Sequence, residues 1–402
     1  MAAVYPFLAL RPDPRVAADV ADVPYDVVST SEARSLAANR PLSFLHVSRA
    51  EIDLPPDTDP YADVVYRTAA ANFERLRTSA PLVVESRPSL YFYRLVMGDH
   101  AQIGLAACFS VDEYERDIVR KHERTRKDKE DDRTRHIVEL RAQTGPVFLT
   151  YPAAPALDAL AARITTDAPL VDFTAADGIR HTIWQVPAGD VSAIVDAFGQ
   201  IPVLYIADGH HRAASAMRAK QALSGKSSEA STFLAVAFPH NQTQILPYHR
   251  VVKDLNGQTA SSFLAAISAR LTVAPGGPAP SGKGHVSMYL NGAWHDVTLG
   301  APGRDAAPAD RLDVSLLQDQ VLAPLLGVGD PRTDKRIDFV GGIRGPAALS
   351  RAVDQGHAAV AFALYPVSVA DLMAIADAGG IMPPKSTWFE PKLRDGLLSH
   401  LI

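Results

Sequence analysis

Val203-Leu-Tyr-Ile-Ala-Asp-Gly-His-His-Arg-Ala-Ala-Ser-Ala216 is the stretch whose reading decides the fold. Its first residues, Val203 to Ile206, form a β-branched and aromatic run of the kind that makes a buried strand. Asp208 and Gly209 make a tight turn, and Ala213 to Lys220 continues as a helix. A strand that turns on glycine into a helix start is a local geometry that binds anions. The first backbone N–H groups of a helix lack internal partners, and its dipole favours negative charge there. His210, His211 and Arg212 add side-chain donors in the same turn. The small run Ala213, Ala214, Ser215, Ala216 lets the helix lie close to its sheet. Two readings stand side by side: a phosphate site, or a strand–turn–helix whose basic turn is simply solvated.

The bulk composition narrows the class of protein. At 402 residues the chain is too long for one ordinary core, so two or three domains are expected. It is 47% hydrophobic and 21% charged, the balance of a soluble globular protein. A net charge of −5 argues against a dedicated nucleic-acid binder. The single cysteine, Cys108, excludes an internal disulfide framework and any multi-cysteine zinc site, and its apolar surroundings point to a buried structural thiol. The N-terminal residues lack the basic region and apolar stretch of a signal peptide, and no run approaches the roughly 18 apolar residues of a membrane span. A cytoplasmic protein without membrane contact is expected.

Outward from the opening stretch, the chain alternates strand and helix signals. Val4 to Leu10 reads as a strand, and Arg15 to Asp22 as a short helix. Ser29-Thr-Ser-Glu32 is a capping-box pattern that opens a helix through Ala38. Leu42 to Arg49 alternates enough to suggest a strand. A long helix is predicted from Asp59-Pro60 to about Arg77, with Val65, Ala69, Phe73 and Leu76 as its core stripe. Leu90 to Met97 and Ala101 to Phe109 flank Gly98-Asp99-His100 as a hairpin. From Asp112 to Arg141 the chain is densely charged, which reads as a solvated helix with i,i+4 pairs. His122, Glu123 and Thr125 sit where that helix would begin. Strands follow at Pro146 to Tyr151, Leu170 to Thr174, Arg180 to Val186, Thr232 to Phe238 and Ile245 to Val252. Asn291-Gly292 centres a further hairpin, and helix and strand alternate to Ala378. The polar, proline-rich run from Ile381 to Lys392 reads as lying outside any core.

Several chemistries are excluded by pattern. No GxxxxGK[ST] loop, no GxGxxG after a strand and no GxSxG elbow occurs. His122-Glu123 lacks the second histidine that a zincin needs, since Arg126 stands at that position. Asp208, His210 and His211 are possible metal ligands, but adjacent helical histidines point about 100° apart and rarely share an ion.

Seven motifs occur together in order: VPYDVV (23–28), SFLHVSR with EIDL (43–54), RKHERT with DDR (120–133), GPVF (145–148), YIADGHHRAASA (205–216), LPYHR (246–250) and MPPKSTWFEPKL (382–393). In these the chain resembles a widespread bacterial family of uncharacterised proteins of similar length. The middle section resembles the ParB/sulfiredoxin-like fold, in which a glycine–x–His–Arg turn at a helix start binds nucleotide phosphates. Within that superfamily it is similar to the free-serine kinases, which phosphorylate L-serine from a nucleotide with a glutamate as base. The resemblance implies a mixed α/β fold with a ParB/sulfiredoxin-like nucleotide-binding domain at 111–273, between α/β portions at 1–110 and 274–402. It implies Gly209, His210, His211 and Arg212 as the phosphate site, Glu123 as the base, and ATP or ADP as donor. Sulfiredoxin chemistry needs a cysteine where this chain has His210, and no downstream helix-turn-helix suggests ParB-type DNA work.

The expected roles follow from phosphoryl-transfer chemistry, which depends on positioning and on neutralising charge. Arg212, always charged and bidentate, is expected on a phosphate oxygen. Asp208 would hold Mg²⁺ or cap the helix. Glu123 would take the proton of the attacking hydroxyl, or be one more exposed carboxylate. Tyr25, Asp26, His46 and Arg49 are expected at the amino-acid end of a small substrate such as free serine. His249, Arg250 and Lys385 would close the site from other sides. The alternatives are a nucleotide-binding regulatory module without catalysis, or a metal-dependent phosphohydrolase.

Overall fold

In a computed structural model, which describes residues 2–79 and 82–402, the apolar runs around Gly98-Asp99 form the hairpin Tyr91–Met97 and His100–Ser110. Gly98 sits at φ +57°, a conformation that costs glycine little. This hairpin is the middle of a nine-stranded mixed sheet. On one side Thr232–Pro239 pairs antiparallel with His100–Ser110 and parallel with Val147–Tyr151. Leu204–Asp208 then pairs antiparallel with Val147–Tyr151, and Val119–Arg120 lies parallel on the outer edge. On the other side the sheet ends in Arg180–Gln185 and Val171–Thr174. Strands buried on both faces explain the near-continuous apolar runs, as in Leu204 to Ala207, all buried.

The helix His210–Ala222 packs on this sheet through Ala213, Ala214, Ala216 and Ala219, all buried. It begins three residues before the expected Ala213. Asp63–Ser79 is the long helix, with Val65, Ala69, Phe73 and Leu76 buried as a stripe. Truncating Phe73 there would cost about 3–5 kcal/mol. Thr30–Ala37 opens on the expected capping box: Glu32 N donates to Ser29 Oγ at 3.3 Å, and Ser29 N to Glu32 Oε2 at 2.8 Å. A four-stranded sheet of Leu82–Val84, Ala9–Pro12, Ser399–Leu401 and Ala142–Gln143 brings the end of the chain beside its beginning.

Contacts divide the chain into two units, Met1–Thr243 with Pro391–Ile402, and Gln244–Glu390. A cut at 110 would separate His100–Ser110 from Thr232–Pro239, its hydrogen-bonded neighbour, so the division at 1–110, 111–273 and 274–402 does not follow the contacts. The second unit is built on a six-stranded antiparallel sheet in the order Thr272–Pro275, Ala293–Thr298, His285–Leu290, Val360–Leu364, Tyr248–Val252, Ile337–Gly341. Phe263, Met288, Leu317 and Phe362 fill its core. Its first strand, Gln244–Leu246, pairs with its last, Trp388–Glu390, with Gln244 opposite Glu390.

Two expectations are corrected. Leu42 to Arg49 is not a strand but contains the helical turn Leu45–Ser48. The buried Asp22 carboxylate takes Ser43 Oγ at 2.5 Å and Leu45 N at 3.5 Å, which organises a helix start there. The run 381–392 does reach the interior: Met382, Ser386, Phe389 and Glu390 are buried. No helix among the described residues is long and apolar enough to cross a membrane. Cys108 is buried, and burial pushes its thiol well above the usual range.

Candidate functional site

The strand Leu204–Asp208 ends in Gly209, at φ +94° and ψ +30°, and the helix begins at His210 with no side chain capping its N–H groups. Only glycine adopts this backbone cheaply, and a Cβ here would lie 3.0 Å from Arg212 Nε. Because Val119–Arg120 runs parallel to Leu204–Tyr205, the next residues, His122 and Glu123, emerge beside the helix start. Glu123 Oε2 lies 3.9 Å from His210 Nδ1, and the rings of His122 and His210 meet edge to face at 4.4 Å. The structure thus brings Glu123 to the turn although 84 residues, charged helix and hairpin included, separate it from Asp208 in the chain.

The two histidines act differently from expectation. His210 Nε2 accepts from His122 N at 3.4 Å, and His211 Nε2 accepts from Arg126 N at 3.0 Å. Burial lowers the pKa of both rings, and it lowers His122 to about 4. All three are therefore neutral near pH 7. An acceptor Nε2 puts the proton of His210 on Nδ1, the atom that faces Glu123. His210 and His211 tie the 122–126 segment onto the helix start and bring no positive charge to it.

Arg212 already has partners within the protein. Its side chain is buried, with Nη1 donating to the Pro146 carbonyl and Nη2 3.3 Å from Asp208 Oδ2 and 3.7 Å from Asp26 Oδ2. These bonds occupy the guanidinium that was expected on a phosphate oxygen. Only Nε lacks a partner, under Gly209. Asp208 accepts from Lys392 Nζ at 3.2 Å as well. Burial by itself would raise the Asp208 carboxyl, but Lys392 and Arg212 reverse this and hold it well below the usual range. Its Oδ2 already faces two cations, so these residues do not fit a Mg²⁺ ligand at Asp208. Among the described residues no group of three or more His, Cys, Asp or Glu side chains is arranged to hold a metal.

Arg212 also lines a cleft with Tyr25, Ser48, Arg133, His136 and Asp395. Arg133 stacks on the Tyr25 ring at 4.2 Å, and its Nε donates to Asp132 at 2.7 Å. Three buried polar atoms of this lining, Ser48 Oγ, Arg212 Nε and Asp395 Oδ1, have no hydrogen-bond partner. Burial lifts Asp395 to about 7, against the pull of Arg212 and Arg133 and with a push from Asp26 and Asp22. Buried polar groups are normally satisfied, so three orphans on one cleft make it a candidate polar site.

The candidate residues divide three ways. Tyr25, Asp26, Glu123, Asp208, Gly209, His210, His211 and Arg212 come together. His46 and Arg49 belong to the same unit but have other partners. His46 Nδ1 bonds Asp53 at 2.8 Å, and Arg49 bonds Thr30 Oγ1 at 2.9 Å and pairs with Glu51 at 3.0 Å. His249, Arg250 and Lys385 belong to the other unit, where Leu364 N donates to His249 Nδ1 at 3.2 Å and Lys385 lies over the Tyr248 ring at 5.4 Å. The residues missed were Arg133, Asp395 and Lys392. The first and last lie within the conspicuous motifs 120–133 and 382–393, and Asp395 just beyond the second.

The site's elements, residues 22–26, 119–133, 145–148 and 204–216, lie in the region covered by one family. The chain belongs to the family described as "Protein of unknown function (DUF1015)", which matches residues 4–315. No curated protein matches it. Among solved structures it is similar to a free serine kinase in complex with AMP, at 11% identity and TM-score 0.35, covering 73% of this chain and 92% of that one. It is similar to a conserved hypothetical protein from Pyrococcus furiosus at 13% identity and TM-score 0.35, covering 73% and 95%. SbnI from Staphylococcus aureus matches at 12% identity and TM-score 0.37, covering 72% and 85%.

Proposed function

We propose that this DUF1015 protein is a nucleotide-dependent kinase that phosphorylates the hydroxyl of a small compound such as free serine. The observation that carries the reading is Glu123 Oε2, 3.9 Å from His210 Nδ1 at the uncapped start of helix His210–Ala222. The helix amides and Gly209 receive a phosphate of ATP or ADP. The Glu123 carboxylate, which faces His210 Nδ1 at 3.9 Å, takes the proton of the acceptor hydroxyl. The freed oxygen bonds to phosphorus as the bond to the departing ADP or AMP breaks. Asp208, Arg212 and Lys392 hold the turn in shape rather than touch the phosphates. The acceptor lies in the cleft of Tyr25, Ser48, Arg133 and Asp395, whose unpartnered atoms suit a ligand with both anionic and donor groups. Any divalent cation enters with the nucleotide phosphates, not on Asp208. The ParB/sulfiredoxin-like character of the nucleotide-binding part belongs to the same proposal.

The test is phosphate transfer from labelled ATP and ADP to a panel of hydroxy amino acids and hydroxy acids. Glu123→Gln should lose about 10²–10⁴-fold in turnover while still binding nucleotide. Unaltered turnover in that variant removes Glu123 as base. A second reading, a regulatory module that binds nucleotide without chemistry, is favoured by one observation: the neutral histidines and the engaged Arg212 leave little positive charge for a transferring phosphoryl group. Nucleotide binding without turnover of any acceptor would select it.

A further inference from the structure

We propose that the unit Gln244–Glu390 has its own binding site for a small organic carboxylate, held by Arg250. A cleft there is lined by Tyr248, Arg250, Lys283, Asp313, Leu364 and Asp371. Arg250 is 3% exposed, yet no carboxylate among the described residues pairs with it. Its Nη1 donates to the Tyr248 carbonyl and its Nη2 to the Pro384 carbonyl at 3.3 Å, while its guanidinium lies 5.0 Å over the Phe339 ring. A guanidinium has five N–H groups, so three remain without a protein acceptor. Burial pushes Arg250 down to about 9, the mark of a cation without a counter-ion. Buried charges are as a rule paired, and the missing partner here is an anion.

The other walls select its class. Lys283 Nζ is 2.8 Å from Asp371 Oδ1, so these two charges cancel. Asp371 Oδ2 also accepts from Ser368 Oγ at 2.8 Å, closing the start of helix Val369–Asp377 with a carboxylate. Asp313 Oδ1 accepts from Gly284 N at 2.9 Å, and burial raises its pKa. The two cations and two carboxylates of the lining cancel overall, and Arg250 is the cation that no carboxylate pairs, which suits a monoanion. A phosphate dianion would face Asp371 and Asp313. Leu364 and Val314 are buried, and with Val367 they give the cleft an apolar wall for a short hydrocarbon body. The planar fork of Arg250 matches two carboxylate oxygens.

This site is independent of the phosphoryl transfer proposed above, and binding alone reads it out. Full-length protein is titrated by calorimetry and thermal shift with isovalerate, acetate and inorganic phosphate. Isovalerate should raise the melting temperature and bind more tightly than acetate, with phosphate inert. Arg250→Met should weaken isovalerate binding by about ten- to a hundredfold. The ligand-free variant should be no less stable than wild type, because an apolar side chain replaces an uncompensated buried cation. No carboxylate response in wild type, unchanged binding by Arg250→Met, or a response to phosphate alone would overturn the proposal. If Arg250→Met does not fold, Val314→Trp fills the same cleft, and a retained isovalerate response in it also overturns the assignment.

Discussion

Asp395→Asn should make this protein more stable at alkaline pH and leave it nearly unchanged in acid. Asp395 is 2% exposed, its Oδ1 has no hydrogen-bond partner, and burial raises its carboxyl from 3.8 to about 7. In the unfolded chain the same group ionises near its ordinary value. Between about pH 4 and pH 7 the folded protein therefore keeps a proton that the unfolded chain has lost. Stability from this group is complete below pH 3.8 and is lost as pH rises through 7. At about 1.4 kcal/mol per pH unit, the loss approaches roughly 4 kcal/mol, with the pull of Arg212 and Arg133 already included. The amide keeps the shape and cannot ionise. The wild-type profile alone would mislead, because buried His122, His136 and His249, each lowered to about 4, titrate in the opposite sense over pH 4 to 6.5. The difference between variant and wild type cancels them. Urea melts followed by circular dichroism at pH 5 and pH 8.5 measure it. A difference that does not change with pH, or a variant less stable at pH 8.5, refutes the reasoning. The same variant should lose activity, because the carboxylate that destabilises the fold faces the cleft assigned to the acceptor.

Two further perturbations test the turn. Gly209→Ala forces a left-handed residue and sets a Cβ 3.0 Å from Arg212 Nε, so about 2 kcal/mol of stability should be lost, with weaker nucleotide binding. Wild-type urea midpoints in that variant would show that the turn tolerates a side chain. Lys392→Met removes one of the two cations on Asp208 and should cost about 3 kcal/mol at pH 7. Asp208 is lowered in the folded state, so its contribution is present above pH 3.8 and fades as pH falls through its folded value. The deficit of Lys392→Met should therefore narrow on acidification, and a deficit that widens below pH 4 would count against the pair.

Much of this was legible where local rules dominate. The hairpins turned on Gly98 and Asn291-Gly292, the Ser29 capping box and the Val65–Leu76 stripe each depend on neighbours within a few residues. The Asp208–Arg212 turn was legible for the same reason. What stayed hidden depends on partners far along the chain. Arg212 looks like a phosphate ligand until the Pro146 carbonyl, Asp26 and Asp208 are seen to surround it. That also accounts for the GPVF stretch: Pro146 accepts from Arg212, and a Cβ on Gly145 would lie 2.8 Å from Asp395 Oδ1. The charged run 120–133 reads as solvent-facing, yet Asp132 is buried and receives a hydrogen bond from Tyr66 at 2.7 Å. His46 and Arg49 misled because a polar side chain carries no sign of whether its partner is Asp53, Glu51 or a ligand.

The pairing of Gln244 with Glu390 has a consequence for the order in which the protein assembles. Those residues are the first and last of their unit, so once it folds its two ends stand side by side. To the rest of the chain, the whole unit then counts as a single link. Ser399–Leu401 must find Ala9–Pro12 across nearly the entire length of the polypeptide, and Asp395 must find Asp22. Folding the inserted unit first removes it from that loop, although the entropy recovered is small, about 0.6 kcal/mol for each halving. The larger effect is one of sequence in time. Lys392, Arg394 and Asp395 follow Asp208, Asp177 and Asp22 far along the chain, so the cleft beside Arg212 is completed late in synthesis.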